Sequence, residues 1–198
     1  LVALGPAPAP SAGPQYNPLM CNLYQPPPEA RYDHDPDFRP LPDGRRGWKL
    51  TVAPFGDGPF MLADRSMVGQ WGMIPPYSKT RRPTLPNGRP LSTNNARRER
   101  MDSAPTFRDA WKSGRRCLIP ALSYDEPYWG TGKNIWWRFW RADDTPWMLA
   151  GLWSEWTDHE TGEVIPNYTM ITQNCDGHPL LKLMHKPDPK LPADQQDK

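Results

Sequence analysis

The sequence predicts an α+β fold dominated by β-strands, a curled sheet or open barrel with a few peripheral helices. Proline accounts for 27 of the 198 residues, which disfavours long helices because proline fixes φ and has no backbone N–H. Short runs of aromatic and β-branched residues are bounded by Gly, Pro and Asp, which is typical of strands that end in turns. No repeat period is visible, so a repeat architecture is not indicated.

Strands are predicted where an apolar run ends in proline or in turn residues. These runs are 48–54, 60–63, 66–74, 116–124, 135–141, 147–153 and 168–172. We expect three hairpins between neighbouring runs, with turns at 64–65, 143–144 and 159–162. The second of these hairpins pairs the run that begins at Ile135 with the run that begins at Trp147.

Helices are expected to be short. The best candidate is 103–113, because its apolar residues share one face, Ser103 can cap its N-terminus and Gly114 can end it. At most one helical turn is expected near 29–31, and a short helix is expected over 179–185. The helices are therefore expected to lie at the periphery of the sheet and not in the core of the domain.

Length and composition indicate how many domains the chain forms and which cell compartment suits it. The length suits one domain, assigned to 20–198, and the Pro- and Ala-rich residues 1–19 predict a flexible extension or propeptide. The net charge of +2 is weak evidence for a nucleic-acid partner unless the basic residues cluster. Three cysteines without a close pair favour a reducing compartment, and no apolar run reaches 18 residues. We therefore expect a cytoplasmic monomer without a membrane span.

Met20 and Cys21 stand where the Pro- and Ala-rich segment gives way to the folded domain. A methionine at such a shift is typical of a translation start, and methionine is removed efficiently before a small residue. The resulting N-terminal cysteine carries an amine and a thiol on adjacent carbons, so Cys21 is a candidate nucleophile. The alternative is that Cys21 is a small buried apolar residue.

Three further residues could carry chemistry, and each has a plainer alternative. Asn95 follows a basic loop, although most loop asparagines cap a turn. Glu126 follows an apolar strand and could be a solvated charge at a strand end. His185 could be a surface or capping histidine. No His, Cys or Glu pair has the spacing of a zinc site, and no phosphate-binding glycine loop occurs, so neither a metal nor a cofactor is expected.

The ordered set of motifs resembles the SRAP domain family, the SOS-response-associated peptidases, also called abasic-site processing proteins. The resemblance runs from Met20 to about Pro187. Its elements are Met20-Cys21, Val52-Ala53-Pro54, Trp71-Gly72, Asn95-Ala96-Arg97, Phe107 to Pro120, Asp125-Glu126, Tyr168 to Thr172 and Met184-His185-x-Pro187.

The resemblance implies a DNA-damage-response protein, an enzyme that binds single-stranded DNA and forms a covalent protein–DNA linkage with abasic sites. It implies Cys21 as the crosslinking residue, assisted by Asn95, Glu126 and His185, with Arg97 at a DNA phosphate. It also implies lyase-type activity on the abasic site and a cysteine-dependent peptidase (hydrolase) activity that removes the residues before Cys21. The alternatives are a non-covalent single-strand-binding or scaffold module and, less well supported, a thiol protease acting on other proteins.

Basic and aromatic residues elsewhere suggest a surface for single-stranded DNA, because such surfaces combine cationic grooves with stacking rings. The long, basic and Pro-rich loop at 75–91 supplies several of them, and loops of this length are usually functional or disordered. The predicted DNA-binding residues are Arg97, Arg98, Trp71, Tyr77, Arg81 and Arg82.

Three departures from the family pattern are visible. Asn22-Leu23 stand where many family members carry Gly-Arg. Thr51 or a neighbour stands where members often carry an Asn, in the strand before Ala-Pro. The chain stops soon after His185, which predicts a truncated C-terminus relative to the family. Residues 1–19 are the largest departure, because Cys21 has no free amine while Met20 is attached.

Overall fold

The computed structural model describes residues 2–6, 23–42 and 47–196. These residues form ten strands, two α-helices and one 3-10 turn. The strands are β1 (Val2–Pro6), β2 (Leu23–Gln25), β3 (Asp57–Met61), β4 (Ser66–Trp71), β5 (Asn95–Arg97), β6 (Arg116–Ala121), β7 (Ser123–Tyr128), β8 (Ile135–Arg141), β9 (Trp147–Thr157) and β10 (Val164–Thr172). The helices are α1 (Ala30–His34) and α2 (Arg108–Lys112), and the 3-10 turn is Leu181–Leu183.

Five strands close into a barrel in the order β4-β3-β6-β9-β10, because β10 also pairs with β4. Short strand β5 extends this sheet beyond β10. The barrel interior is filled by side chains with no solvent exposure, including Phe60, Trp71, Ile119 and Tyr168. The predicted strand-dominated α+β fold with a curled sheet is confirmed, and the sheet closes completely between β4 and β10.

Buried polar side chains support the closure between β4 and β10. Gln70 and Asn167 are paired across it and neither is exposed. Asn167 Oδ1 accepts a hydrogen bond from the Ile74 amide at 3.0 Å, and Gln70 Nε2 donates to the Gly72 carbonyl at 3.0 Å. Buried amides are stable when their hydrogen bonds are made inside the protein, so these residues define how the barrel closes.

A second sheet of four strands has the order β1-β8-β7-β2. The predicted hairpin between the run at Ile135 and the run at Trp147 is therefore wrong, because β8 pairs with β7 and β9 pairs with β6 and β10. Arg138 explains part of this preference, since it donates to both carboxylate oxygens of Asp125 across β7 and β8, at 2.7 and 2.8 Å. The other two predicted hairpins form, β3 with β4 and β9 with β10.

Two local predictions are corrected. Residues 48–54 do not form a strand, because Val52 makes only an isolated bridge to Tyr24. The predicted helix 103–113 shortens to α2, and Ser103 does not cap it, since its hydroxyl donates to the Arg100 carbonyl. Gly114 ends the helix as expected, with φ of 69°.

Residues 2–6 of the predicted flexible extension or propeptide form strand β1. Val2–Pro6 pairs antiparallel with β8 over five residue pairs. A β-carbon on Gly5 would lie 3.1 Å from the Trp140 ring, so the backbone of β1 passes close to that side chain. Residues 7–20 lie outside the described residues, and the boundary of the domain at Met20 stays a prediction.

No helix within the described part of the chain is long and apolar enough to cross a membrane.

Gly69→Ala is expected to destabilise the barrel. A β-carbon at Gly69 would lie 2.7 Å from the Pro166 carbonyl carbon, a backbone atom that cannot turn away. Overpacking of this kind costs about 1–3 kcal/mol, which corresponds to a fall in Tm of about 5 °C for a domain of this size. The matched control is Gly177→Ala, because a β-carbon there has no neighbour within 4 Å. Thermal unfolding followed by circular dichroism measures both, and equal Tm values would contradict this account of the closure.

Candidate active site

Glu126 and His185 meet at the surface between the two sheets. The His185 Nε2 atom lies 3.3 Å from Glu126 Oε2, and both side chains are about nine-tenths buried. The residues are 59 positions apart in the chain, so only the tertiary fold brings them together. A carboxylate and an imidazole in contact can pass a proton between them and to a third group, which is the arrangement that general acid–base chemistry requires.

The backbone that carries His185 is fixed to the end of β7. Met184 forms a bridge with Tyr128, and the His185 amide donates to the Pro127 carbonyl at 2.7 Å. His185 has a positive φ of 63°. Left-handed conformations are uncommon outside glycine and cluster at functional sites. Because β7 also carries Glu126, one strand positions both members of the pair.

The pair opens onto a cavity of about 580 Å³. Its walls come from β7, the start of β9, the end of β10 and the segment that follows β10. Most wall residues are apolar or aromatic, and the polar groups include Arg97, Glu126 and His185. A mostly apolar pocket with a few converging polar groups is the usual form of a ligand site.

Strand β5 adds Asn95 and Arg97 to this region. The strand runs parallel to β10, with Asn95 beside Met170 and Arg97 beside Thr172, and both β10 residues line the cavity. Asn95 and Arg97 point to the same face of β5, since they are two residues apart. The Asn95 side chain is buried. Asn95 therefore lies on the strand beside β10, and the end of β10 lines the same cavity as Glu126 and His185.

Glu99 holds the end of β5 against the rim of the cavity. Its carboxylate lies 3.3 Å from the Arg97 guanidinium and accepts a hydrogen bond from the Asn174 amide at 2.6 Å. Desolvation acts to raise the pKa of Glu99, but the hydrogen bond from Asn174 and the Arg97 charge outweigh it and lower that pKa. Glu99 is therefore ionised at neutral pH and fixes the position of Arg97.

Cys21 lies outside the described residues. The described chain resumes at Leu23, whose Cα is paired with that of Asp125, the residue before Glu126. Strand β2 therefore runs beside the part of β7 that carries the site. The role of Cys21 stays a prediction.

The predicted stacking role of Trp71 is corrected. Its ring is fully buried in the barrel, packs edge-on against Tyr24, and its Nε1 donates to the Asn94 carbonyl at 2.9 Å. A ring with no exposed surface cannot stack on a nucleobase. Trp71 supports the site indirectly, because its hydrogen bond fixes the backbone of the residue that precedes Asn95.

The other predicted DNA-binding residues lie in two regions along β10. Arg97 and the exposed Arg98 lie beside the end of β10. Arg81 instead bonds to Gln70 and Asp57, and Gln70 pairs with β10 at Asn167, five residues before Thr172. Five residues of strand span about 16 Å. Tyr77 and Arg82 belong to the same loop as Arg81 and are exposed, and their DNA-binding role stays a prediction.

Several cavity residues were not predicted from the sequence. Tyr124 alternates with Glu126 on β7 and therefore shares its face, a signal that the strand pattern contained. Trp147 comes from β9, and Cys175 and His178 come from the segment after β10. His178 Nδ1 accepts hydrogen bonds from the Leu180 and Leu181 amides, so this histidine caps the 3-10 turn. Nothing in the local sequence indicates these neighbours.

The two described cysteines differ in exposure. Cys117 is buried, and desolvation raises the pKa of its thiol far above the usual range. Such a thiol stays protonated and inert. Cys175 is partly exposed and lines the cavity. In the described part of the chain, no group of three or more His, Cys, Asp or Glu side chains is placed to hold a metal ion.

Comparisons with known proteins identify a family and related structures. A family model described as SOS response associated peptidase (SRAP) matches residues 49–195. A crystal structure of a protein from Bordetella bronchiseptica is 34% identical, with a TM-score of 0.69, and the match covers 84% of this chain and 78% of that one. A crystal structure from Bacteroides thetaiotaomicron shares the fold, with a TM-score of 0.61, 21% identity and coverage of 78% and 68%. The comparison with curated proteins found no match.

Proposed function

Since the chain belongs to the SOS response associated peptidase (SRAP) family, we propose that it captures abasic sites in single-stranded DNA through Cys21. The covalent product is a thiazolidine ring. Cys21 becomes available when the chain cleaves itself before this residue or is translated from Met20. The observation that carries the proposal is the contact between Glu126 and His185 beside the strand that leads back to Cys21.

The position of Leu23 supports the participation of Cys21, which precedes it by two residues. Leu23 is paired with Asp125, directly before Glu126. The described chain that follows Cys21 therefore lies beside the strand that carries the buried carboxylate, although Cys21 precedes Glu126 by 105 positions in the sequence.

The reaction needs no group beyond these residues and the DNA. An abasic deoxyribose opens to an aldehyde, and the neutral α-amine of Cys21 attacks the aldehyde carbon. An α-amine has a pKa of about 7.7–8.0, so a useful fraction is neutral at pH 7. Loss of water leaves an imine, the thiolate adds to the imine carbon, and the nitrogen takes a proton as the five-membered ring closes.

Glu126 and His185 are suited to the proton transfers. One proton leaves the attacking amine, one reaches the departing hydroxyl, and one leaves the thiol before ring closure. A carboxylate in contact with an imidazole can accept and return each of them. Asn95 is proposed to hold the N-terminus by hydrogen bonds, and Arg97 to bind a DNA phosphate.

The peptidase step uses the same thiol. The Cys21 sulfur attacks the Met20 carbonyl carbon, the Cys21 nitrogen leaves as the amine and takes a proton, and a thioester remains. Water then hydrolyses the thioester to a Met20 carboxylate and a free thiol. Activation by a neighbouring base is the usual requirement for a cysteine nucleophile, and Glu126 with His185 can meet it.

Intact-mass spectrometry of the purified protein tests the maturation step. The wild-type chain is expected to lose residues 1–20 completely, whereas Cys21→Ala keeps them because no thiol is present to attack the carbonyl. A protein expressed from Met20 is the control that bypasses cleavage. A full-length wild-type species that persists and still crosslinks abasic DNA would contradict the requirement for a free amine.

A further inference from the structure

The hairpin of β7 and β8 has an unusual composition that the proposed reaction does not use. Residues 127–141 contain six aromatic and three basic residues and no acidic residue. They include four of the ten tryptophans in the chain. Aromatic rings interleaved with cationic groups are what single-stranded nucleic acids bind, and residues 127–141 begin next to Glu126.

One face of this hairpin continues directly from the site. Trp137 is paired with Glu126, so the two side chains point to the same face. Tyr128 stacks on Trp137, with ring centroids 4.5 Å apart and an angle of 22° between the planes. Both rings are half-buried. A second stacked pair, Tyr124 with Phe139 at 5.0 Å, lies on the other side of Glu126.

Cationic side chains border the same region. Lys186 follows His185, is exposed, and its Nζ lies 5.7 Å from the centre of the Trp129 ring. The Trp129 amide donates to the Leu183 carbonyl at 2.8 Å, which holds the backbone of Trp129 beside the segment that carries His185. Lys133 is exposed in the turn of the hairpin.

The opposite face of the hairpin carries Trp136, Trp140 and the ion pair between Arg138 and Asp125, in which the charge of Arg138 is neutralised by a carboxylate at 2.7 Å. The rings on the face of Glu126 therefore lie on the side of the proposed reaction, and those on the opposite face do not.

We propose that this surface, which comprises Tyr128, Trp129, Lys133, Trp137 and Lys186, binds the stretch of single-stranded DNA that flanks the abasic nucleotide. Nucleobases stack against the Tyr128–Trp137 pair, and the two lysines neutralise phosphates. The identity of the ligand rests on the proposed function, whereas its location rests on the geometry of the hairpin. The proposed DNA path thus runs along β7 and β8.

Adjacent tryptophans on β8 provide a matched test. Trp137→Ala and Trp136→Ala remove the same side chain from opposite faces of one strand. Fluorescence anisotropy with an undamaged, labelled oligonucleotide measures binding in the Cys21→Ser background, where no crosslink forms. Trp137→Ala is expected to weaken binding by about 10-fold, because one base–aromatic stack is lost, and Trp136→Ala is expected to leave it unchanged. Equal losses in the two variants would overturn the proposal.

The lysines give a second test that does not depend on the packing of the rings. For single strands, each phosphate contact contributes about 0.7 to the slope of log affinity against log salt. Lys133→Gln and Lys186→Gln are each expected to reduce the slope by about that amount, while Lys112→Gln, on α2, leaves it unchanged. Unchanged slopes for both hairpin variants, or an acidic peptide that displaces DNA at equal concentration, would overturn the assignment to DNA.

These outcomes separate the two proposals. Loss of binding in Trp137→Ala without any crosslinking by the wild-type protein would support the hairpin surface and contradict the covalent function. Crosslinking by the wild-type protein with unaltered binding in Trp137→Ala would support the covalent function and contradict the hairpin surface.

Discussion

Cys21→Ser is expected to abolish the heat-stable crosslink to abasic DNA while leaving non-covalent binding intact. Ring closure by the thiolate is intramolecular, and effective molarities for well-oriented reactions of this kind reach about 10⁵ M. A serine hydroxyl at the same position is not ionised at neutral pH and is a far weaker nucleophile. Denaturing electrophoresis of protein incubated with an abasic oligonucleotide measures the crosslink, and anisotropy with undamaged DNA measures the binding.

The comparison must start from a free amine, so both proteins are expressed from Met20. With the amine present, the serine variant still forms an imine, which a hydride reductant traps as a stable amine linkage. Trapping by reductant, together with loss of the unreduced crosslink, assigns the ring to the thiol. Cys117→Ser and Cys175→Ser are the matched controls and should crosslink as the wild-type protein does. A serine variant with a normal heat-stable crosslink would leave the non-covalent binding module as the better description.

Glu126→Gln is expected to slow crosslink formation by about 100-fold, the lower range for loss of a general acid–base group. Glutamine keeps the size and the hydrogen-bonding shape of the side chain but cannot accept or deliver a proton. The rate of crosslink formation under single-turnover conditions measures the effect, and the yield at long times should recover. Glu155→Gln, an exposed carboxylate on β9, is the matched control.

The contact between Glu126 and His185 also predicts that substitutions of the two residues have coupled effects on the crosslinking rate. If the pair moves protons as a unit, the double variant Glu126→Gln, His185→Asn should be little slower than the slower single variant. Strictly multiplicative rate losses would show that the two residues act separately. A normal rate for Glu126→Gln would remove the carboxylate from the mechanism.

Local sequence patterns were sufficient to predict much of the barrel. The alternation and turn residues around Asp64 predicted the β3–β4 hairpin, and the turn that ends at Gly162 predicted the β9–β10 hairpin; both are observed. These predictions succeed because a hairpin is a local structure, in which the turn sets the register of the strands that it joins. The resemblance to the family similarly rested on an ordered set of short motifs, and the family match over residues 49–195 confirms it.

The partners of β8 could not be predicted in the same way. Ile135–Arg141 is apolar on both faces, so its alternation does not show which neighbour it joins. The nearer strand in the sequence, β9, was the wrong choice. The ion pair between Arg138 and Asp125 and the register of Trp137 with Glu126 exist only in the sheet that β7 and β8 form together.

The sequence by itself determined the strand-dominated class, the family, and the residue types that the proposed chemistry needs, because these depend on composition and on short motifs. The tertiary structure decided which of those residues share a site. It placed His185 against Glu126, buried Trp71, separated Arg81 from Arg97, and turned Trp137 toward the same face as Glu126. Each of these relations joins residues on different strands, and the closure of the barrel and the register of the second sheet fix them through contacts that no local pattern encodes.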